Sequence, residues 1–316
     1  MTRELGLGLQ TDKRPGSYAP LARLAEEGGF DVVTAFNDLW FQPSLPALLE
    51  VAAATSRVRV GPSCLNAYTV HPVELAGQVA TLDLASRGRA FIGLAAGAWL
   101  DELGLEQRRA VQTLAEAWEI VSRLLAGDRS GFAGEVFSLV PGAGLAYEPE
   151  RPQVPLLVGT WSPRLTAFAA RHAVELKLGG SANPELVRLA RGRLGDAPVG
   201  IVAGAVTVVD EDGARARAWA RRQVAPYLGV VGGLDATFDV DPQLLERLKS
   251  DGEAASSIPD DVLDRFAFAG TPAQIAEHAE ALFDAGAMRV EFGTPHGIEE
   301  RAGVEMLARV VAPRLR

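Results

Sequence analysis

An eightfold alternation constrains this chain more than any other feature of its sequence. Short apolar runs, each ending in small or polar residues, are followed by stretches with helical spacing, and the pair recurs along the 316 residues. The runs fall at 5–9, 30–36, 58–62, 90–95, 155–158, 174–178, 199–209 and 289–292. Each is short enough for a strand buried on both faces. The helical stretches carry their own punctuation. Leu21, Leu24 and Ala25 share one face of a helix that stops at Gly28-Gly29. Residues 45–55 form the second helix, and Pro72 opens a third with Leu75, Val79 and Leu82 inward. Over 106–126, Val111, Leu114, Trp118, Val121 and Leu125 recur at helical spacing. Pro163 follows Ser162 as N-cap, and Asn183-Pro184 repeats that start. A helix is expected over 213–226, and Thr271-Pro272-Ala273-Gln274 is a capping box. Val304, Leu307 and Val311 mark the last helix.

Two segments break the rhythm. Residues 128–150 are rich in Gly and Pro and read as a hairpin or long loop. Residues 228–264, with Gly232-Gly233 and acidic clusters, read as an insertion with short helices and a candidate lid. The expected architecture is therefore a single (β/α)8 TIM barrel over 1–316, with an insertion before the last βα unit. The competing doubly wound sheet loses its usual support, because neither G-x-G-x-x-G nor G-x-x-x-x-G-K-[ST] occurs.

Composition narrows the function. A net charge of −9 argues against nucleic acid, whose binding needs a basic face. No apolar run is long enough to span a bilayer, and the start, Met-Thr-Arg-Glu, lacks a signal-peptide core, so a cytoplasmic protein off the membrane is expected. The single cysteine, Cys64, excludes an internal disulfide. There is no H-E-x-x-H, and of the four histidines His172 and His278 fall on helices while His71 precedes Pro72, so no metal site is expected.

In a barrel the chemistry sits at the C-terminal strand ends. That rule gathers Gln10, Asn37, Asp38, Ser63, Cys64, Asn66, Gly97, Trp99, Thr160, Trp161, Ser162, Gly179, Gly180 and His296. The set holds aromatic walls, bare glycine backbone and two helix starts side by side after the fifth and sixth strands. Such a place suits a phosphate, although the same Gly, Ser and Pro residues also serve ordinary βα turns. With so few acids and bases, a bound cofactor is the expected source of the chemistry. Alternation also turns Lys177 and Glu291 into the barrel, each two residues before a strand-ending glycine, where they can pair.

Four runs of residues are specific. VGPSCLNAYTVHP at 60–72 and GRAFIGLAAGAW at 88–99 resemble the bacterial-luciferase-like superfamily. KLGGSANPE at 177–185 and FAGTPAQI…VEFGTPHG within 268–297 are similar to its deazaflavin-dependent branch, in particular the methylenetetrahydromethanopterin reductases. The resemblance covers nearly the whole chain. It implies a homodimeric oxidoreductase that moves a hydride between coenzyme F420 and a small organic substrate, with FMN as the alternative cofactor. An FMN-dependent monooxygenase and a non-catalytic flavin binder are the rival readings. The resemblance further implies a non-proline cis peptide at Ser63-Cys64, Asn66 at the ring edge, Asn37 facing the cofactor, and a phosphate held by the Thr160–Ser162 and Gly179–Gly180 turns. Three positions depart from it. Asn37-Asp38 stands where relatives have Asp-His, Gly8 where the reductases have Glu, and Ala98 where sugar-phosphate-oxidising relatives have Glu. Asp38 thus takes the place of a catalytic His. It is the expected proton donor if Trp40 and Phe41 desolvate it, with His296 and the Cys64 thiol as the other candidates.

Overall fold

The structure is a computed structural model and describes residues 2–250 and 252–316. Eight parallel strands make the barrel: β1 (Glu4–Leu9), β2 (Val32–Ala35), β3 (Arg59–Pro62), β4 (Ile92–Ala95), β5 (Leu156–Gly159), β6 (Glu175–Gly179), β7 (Gly200–Val209) and β8 (Arg289–His296). They pair in the order β3-β2-β1-β8-β7-β6-β5-β4. Parallel bridges Val60↔Ala90 and Leu65↔Leu94 close the remaining seam, between β3 and β4.

The helices are α1 (Tyr18–Glu27), α2 (Ser44–Ala54), α3 (Pro72–Ser86), α4 (Ala110–Leu125), α5 (Pro163–His172), α6 (Pro184–Leu194), α7 (Gly213–Val231), α8 (Pro242–Ser250), α9 (Asp260–Phe266), α10 (Pro272–Asp284) and α11 (Glu300–Met306). Several start where the sequence marks them. His71 Nδ1 accepts from the Val73 amide, Asn183 Oδ1 from the Glu185 amide, and Thr271 and Gln274 close the reciprocal capping box of α10. Ser162 occupies the N-cap of α5 but makes no side-chain cap. Thr160 Oγ1 instead accepts from the Ser162 amide at 3.0 Å.

The main core lies between barrel and helices. Leu5, Leu7, Leu176, Leu178 and Val290 face outward and pack with Leu48, Val79 and Ile120 in one buried cluster. Inside, Val32, Phe91, Leu157 and Val202 form an apolar plug. Around it runs a buried polar layer. Arg289 makes a two-pronged ion pair with Glu175 (2.9 and 2.8 Å), and Arg59 reaches the same carboxylate at 2.8 Å. Bulky Phe91 fits because β3 offers Gly61, where a Cβ would come within 2.7 Å of the ring.

Three boundaries differ from the sequence reading by four residues or more. α7 runs through Pro226 to Val231 instead of stopping at 226. Leu228 and Val224 are buried against Val240, Leu244 and Phe266, and that burial outweighs the hydrogen bond Pro226 removes. The segment after it therefore begins at 232, and one strand no periodicity marks, Ala267–Gly270, pairs with the end of β7. β8 continues past Phe292 to His296 through an irregular register and a cis Thr294–Pro295 bond. Helix α4 starts at Ala110, not 106.

Residues 132–139 form the short antiparallel hairpin. Glu116 of α4 holds it, accepting from the amides of Glu135, Val136 and Phe137, each at 2.8 Å. Burial pushes the Glu116 carboxyl up, but Gln112 and these three amides outweigh it and hold it at about 2. A carboxyl lowered on folding contributes stability that is present above its ordinary value of 4.5 and lost as pH falls toward 2. The NMR shifts of the 135–137 amides should therefore stay native at pH 4.5 and move only well below it; a midpoint at 4.5 would mean the clamp is absent.

Candidate functional site

A cleft of about 1590 Å³ opens at the C-terminal ends of the strands. β2 and its exit contribute Phe36, Asn37 and Asp38, and the β3 exit contributes Ser63, Cys64 and Asn66. Gly97 and Trp99 enter after β4, Thr160, Trp161 and Ser162 after β5, and Gly179 and Gly180 after β6. Every site residue expected from the sequence lines this cleft except Gln10, which is buried beside Asp38, and His296. The His296 side chain is fully buried behind β1, with Nε2 bonded to the Gly8 carbonyl at 3.1 Å. The backbone of His296 is left-handed, and the structure places this expected candidate outside the cleft.

The Ser63–Cys64 peptide is cis. Its cysteine packs between β4 and β5, where a Cβ on Gly159 would come within 2.7 Å of the sulfur. Burial pushes the Cys64 thiol up to about 11, so it stays protonated and is no nucleophile at neutral pH. Beneath it, Lys177 Nζ donates to Ser63 Oγ at 2.6 Å and to Glu291 Oε1, the pairing that alternation predicted. Asn66 Oδ1 accepts from the Tyr68 and Thr69 amides at 3.1 and 3.0 Å, so it shapes the loop as well as the wall. Asn37 similarly accepts from the Ser44 amide and ties the β2 exit to α2.

Of the acids that line the cleft, Asp38 is half-buried, whereas Asp101 and Glu106 are exposed. Burial raises the Asp38 carboxyl above the ordinary range, while a hydrogen bond from Gln10 and the charge of Lys177 pull the other way. The expected cover by Trp40 and Phe41 is not present, since they are 71% and 45% exposed and Trp40 bonds Glu102 across the rim. Gln10 Nε2 lies 3.0 Å from Asp38 Oδ2 instead, and also 3.2 Å from the Tyr227 hydroxyl. No sequence signal pointed to Tyr227, because Pro226 marked a helix end just before it.

The two glycine turns need a correction in detail. The Thr160 amide donates to Lys177 O, the Gly180 amide to Gly204 O, and the Ser162 amide to Thr160. Those amides are spent within the fold. What the region still presents to an anion is the first turn of α5 and the side chains of Arg164 and Arg193, which line the cleft. Arg193 also reaches the Trp161 carbonyl at 3.0 Å, and Trp161 Nε1 bridges to the Gly179 carbonyl at 3.1 Å. Gly179 itself faces open space, as a Cβ there would meet only Lys177 Cε, at 3.8 Å. The cleft thus fits a flat, anionic-tailed cofactor: glycine edges, an aromatic side and two arginines at one end.

A parallel barrel with such a cleft and a half-buried acid at a strand exit defines a cofactor-binding barrel enzyme. The luciferase-like monooxygenase family model matches residues 2–289, and the chain belongs to that family. It is 28% identical to the 5,10-methylenetetrahydromethanopterin reductase of Archaeoglobus fulgidus, over 93% of this chain and 94% of the relative. It is 34% identical to the F420-dependent glucose-6-phosphate dehydrogenase of Microbacterium testaceum over 54% of this chain and 55% of that one. The solved coenzyme F420-dependent tetrahydromethanopterin reductase of Methanopyrus kandleri superposes over the full length of both chains with a TM-score of 0.88 at 22% identity.

Proposed function

We propose that this protein is a coenzyme F420-dependent oxidoreductase acting on a small organic substrate. The observation that carries this reading is the pairing of a glycine-edged cleft with one half-buried carboxyl of raised pKa, Asp38, and no activated nucleophile. A site of that kind binds and protonates; the deazaflavin, when bound, supplies the hydride. Arg164, Arg193 and the α5 N-terminus would hold the phosphate end, Gly97, Gly179 and Gly180 give the backbone close approach, and the Ser63–Cys64 segment with Asn66 floors the ring position. Asn37 fixes the loop that carries Asp38, and Asp38 would exchange the proton with the substrate. The homodimer, the cytoplasmic location and the single-domain reading rest on resemblance and composition.

FMN on the same scaffold is the second reading, favoured by the family at large. The two separate cleanly. Purified protein titrated with F420 and with FMN should quench F420 fluorescence saturably, and the bound species should not consume oxygen when reduced. Binding of FMN alone, with oxygen uptake, would replace the first reading with the second.

Gly179→Val tests the cleft edge. Its side chain would project into the cleft, and overpacking of 1–3 kcal/mol weakens F420 binding by roughly ten- to a hundredfold. Wild-type affinity in that variant would show that the cofactor does not approach β6.

A further inference from the structure

We propose that Tyr227 is a second hydrogen-bond donor to the reacting group of the substrate, held in register with Asp38 by the single side-chain amide of Gln10. The inference rests on the oxidoreductase reading above and adds a residue to it. The orientation of Gln10 is fixed by its own neighbour, because the Thr11 amide donates to Gln10 Oε1 at 2.9 Å. Nε2 then points away from Thr11, and its two hydrogens are directed at two cleft-lining residues, Asp38 at Oδ2 (3.0 Å) and Tyr227 at its oxygen (3.2 Å).

Two consequences follow from donor and acceptor counting. Tyr227 accepts from Gln10, so its own hydroxyl hydrogen is left to donate elsewhere, and the residue lines the cleft. Asp38 accepts at Oδ2, so when protonated it carries its hydrogen on Oδ1. When Asp38 is protonated, two O–H donors therefore flank one region, while a nitrogen that can only donate holds both from behind. Gln10 is 3% exposed, which keeps water from replacing it. Trp99 packs edge-on against the Tyr227 ring, 6.1 Å between centroids, and limits its swing. Burial and the nearby Asp38 push the Tyr227 phenol up to about 12, so it remains a donor at neutral pH.

An uncharged oxygen acceptor, such as a carbonyl, matches this pair. A carboxylate or phosphate on the same atom does not, because the cation that acts on Asp38, Lys177, is already committed to Glu291 and Ser63 and leaves the added charge unpaired. Gln10 is a positioning residue in this arrangement, and Tyr227 touches the substrate.

Carbonyl-13C cyclohexanone serves as the probe, with its carbonyl stretch read by isotope-edited infrared spectroscopy in the protein with and without bound F420. The bound probe should show a lowered carbonyl frequency. Tyr227→Phe should reverse part of that lowering and weaken probe binding by about three- to tenfold. Gln10→Leu, which leaves both oxygens in place but unheld, should broaden the band. Tyr227→Phe with unchanged frequency and affinity overturns the proposal, since a packing role alone would leave both as they are. Absence of probe binding to the wild type overturns it as well. Failure of F420 to bind, with the probe still shifted, counts against the oxidoreductase reading alone.

Discussion

Lys177→Met is expected to destabilise the fold by about 3–5 kcal/mol, the usual cost of leaving one member of a buried ion pair alone. Glu291 is 1% exposed and cannot recover hydration when the ammonium is removed. Arg289 Nε stands 4.0 Å from Glu291 Oε2, beyond hydrogen-bond distance, and the Arg289 fork is occupied by Glu175. Ser63 also loses the donor that fixes its hydroxyl. Glu291→Gln should cost a comparable amount by stranding Lys177. The double variant should cost much less than the sum, because neither charge is then left uncompensated. Urea unfolding of the four proteins completes the cycle; additive losses would show that the two residues stabilise the barrel independently.

Asp38→Asn is expected to lower turnover by about 10²–10⁴-fold, the usual range for removing a positioned general acid or base. The amide preserves size and can still meet Gln10, so F420 affinity should stay within about twofold of the wild type. The expectation rests on placement: Asp38 stands at the β2 exit, lines the cleft, and has its carboxyl raised above the ordinary range by burial. His296 is enclosed behind β1, and the Cys64 thiol is held too high to exchange its proton readily. A variant that binds F420 and turns over normally would make Asp38 a structural residue of the loop.

Much of this was legible in the sequence, and for identifiable reasons. Period-two alternation in Val174–Leu178 turned Lys177 inward, because the outer face of a barrel strand must be apolar to pack on helices. Pro and Asn or Thr at helix starts marked α3, α6 and α10, because capping is a local event. The strand-exit rule collected Gln10, Asn37, Asp38 and the two glycine turns before any contact was known. The hydrogen bonding of the two glycine turns was only half legible. Bare glycine backbone was visible in the sequence, but where each amide donates is not a local property. Thr160 and Gly180 bond to neighbouring strands that lie tens of residues away in sequence.

The sequence by itself determined the eight βα units, their order, the inward pair and the end of the barrel that carries the site, since these depend on local periodicity and on the chirality of strand and helix. Only the tertiary structure decided which exit residues meet. It carried α7 past Pro226 because apolar burial there outweighs one lost hydrogen bond, and so delivered Tyr227 to Gln10, 217 positions away in the chain. It also placed His296 outside the cleft. Such juxtapositions depend on packing between distant segments, which no single stretch of residues encodes.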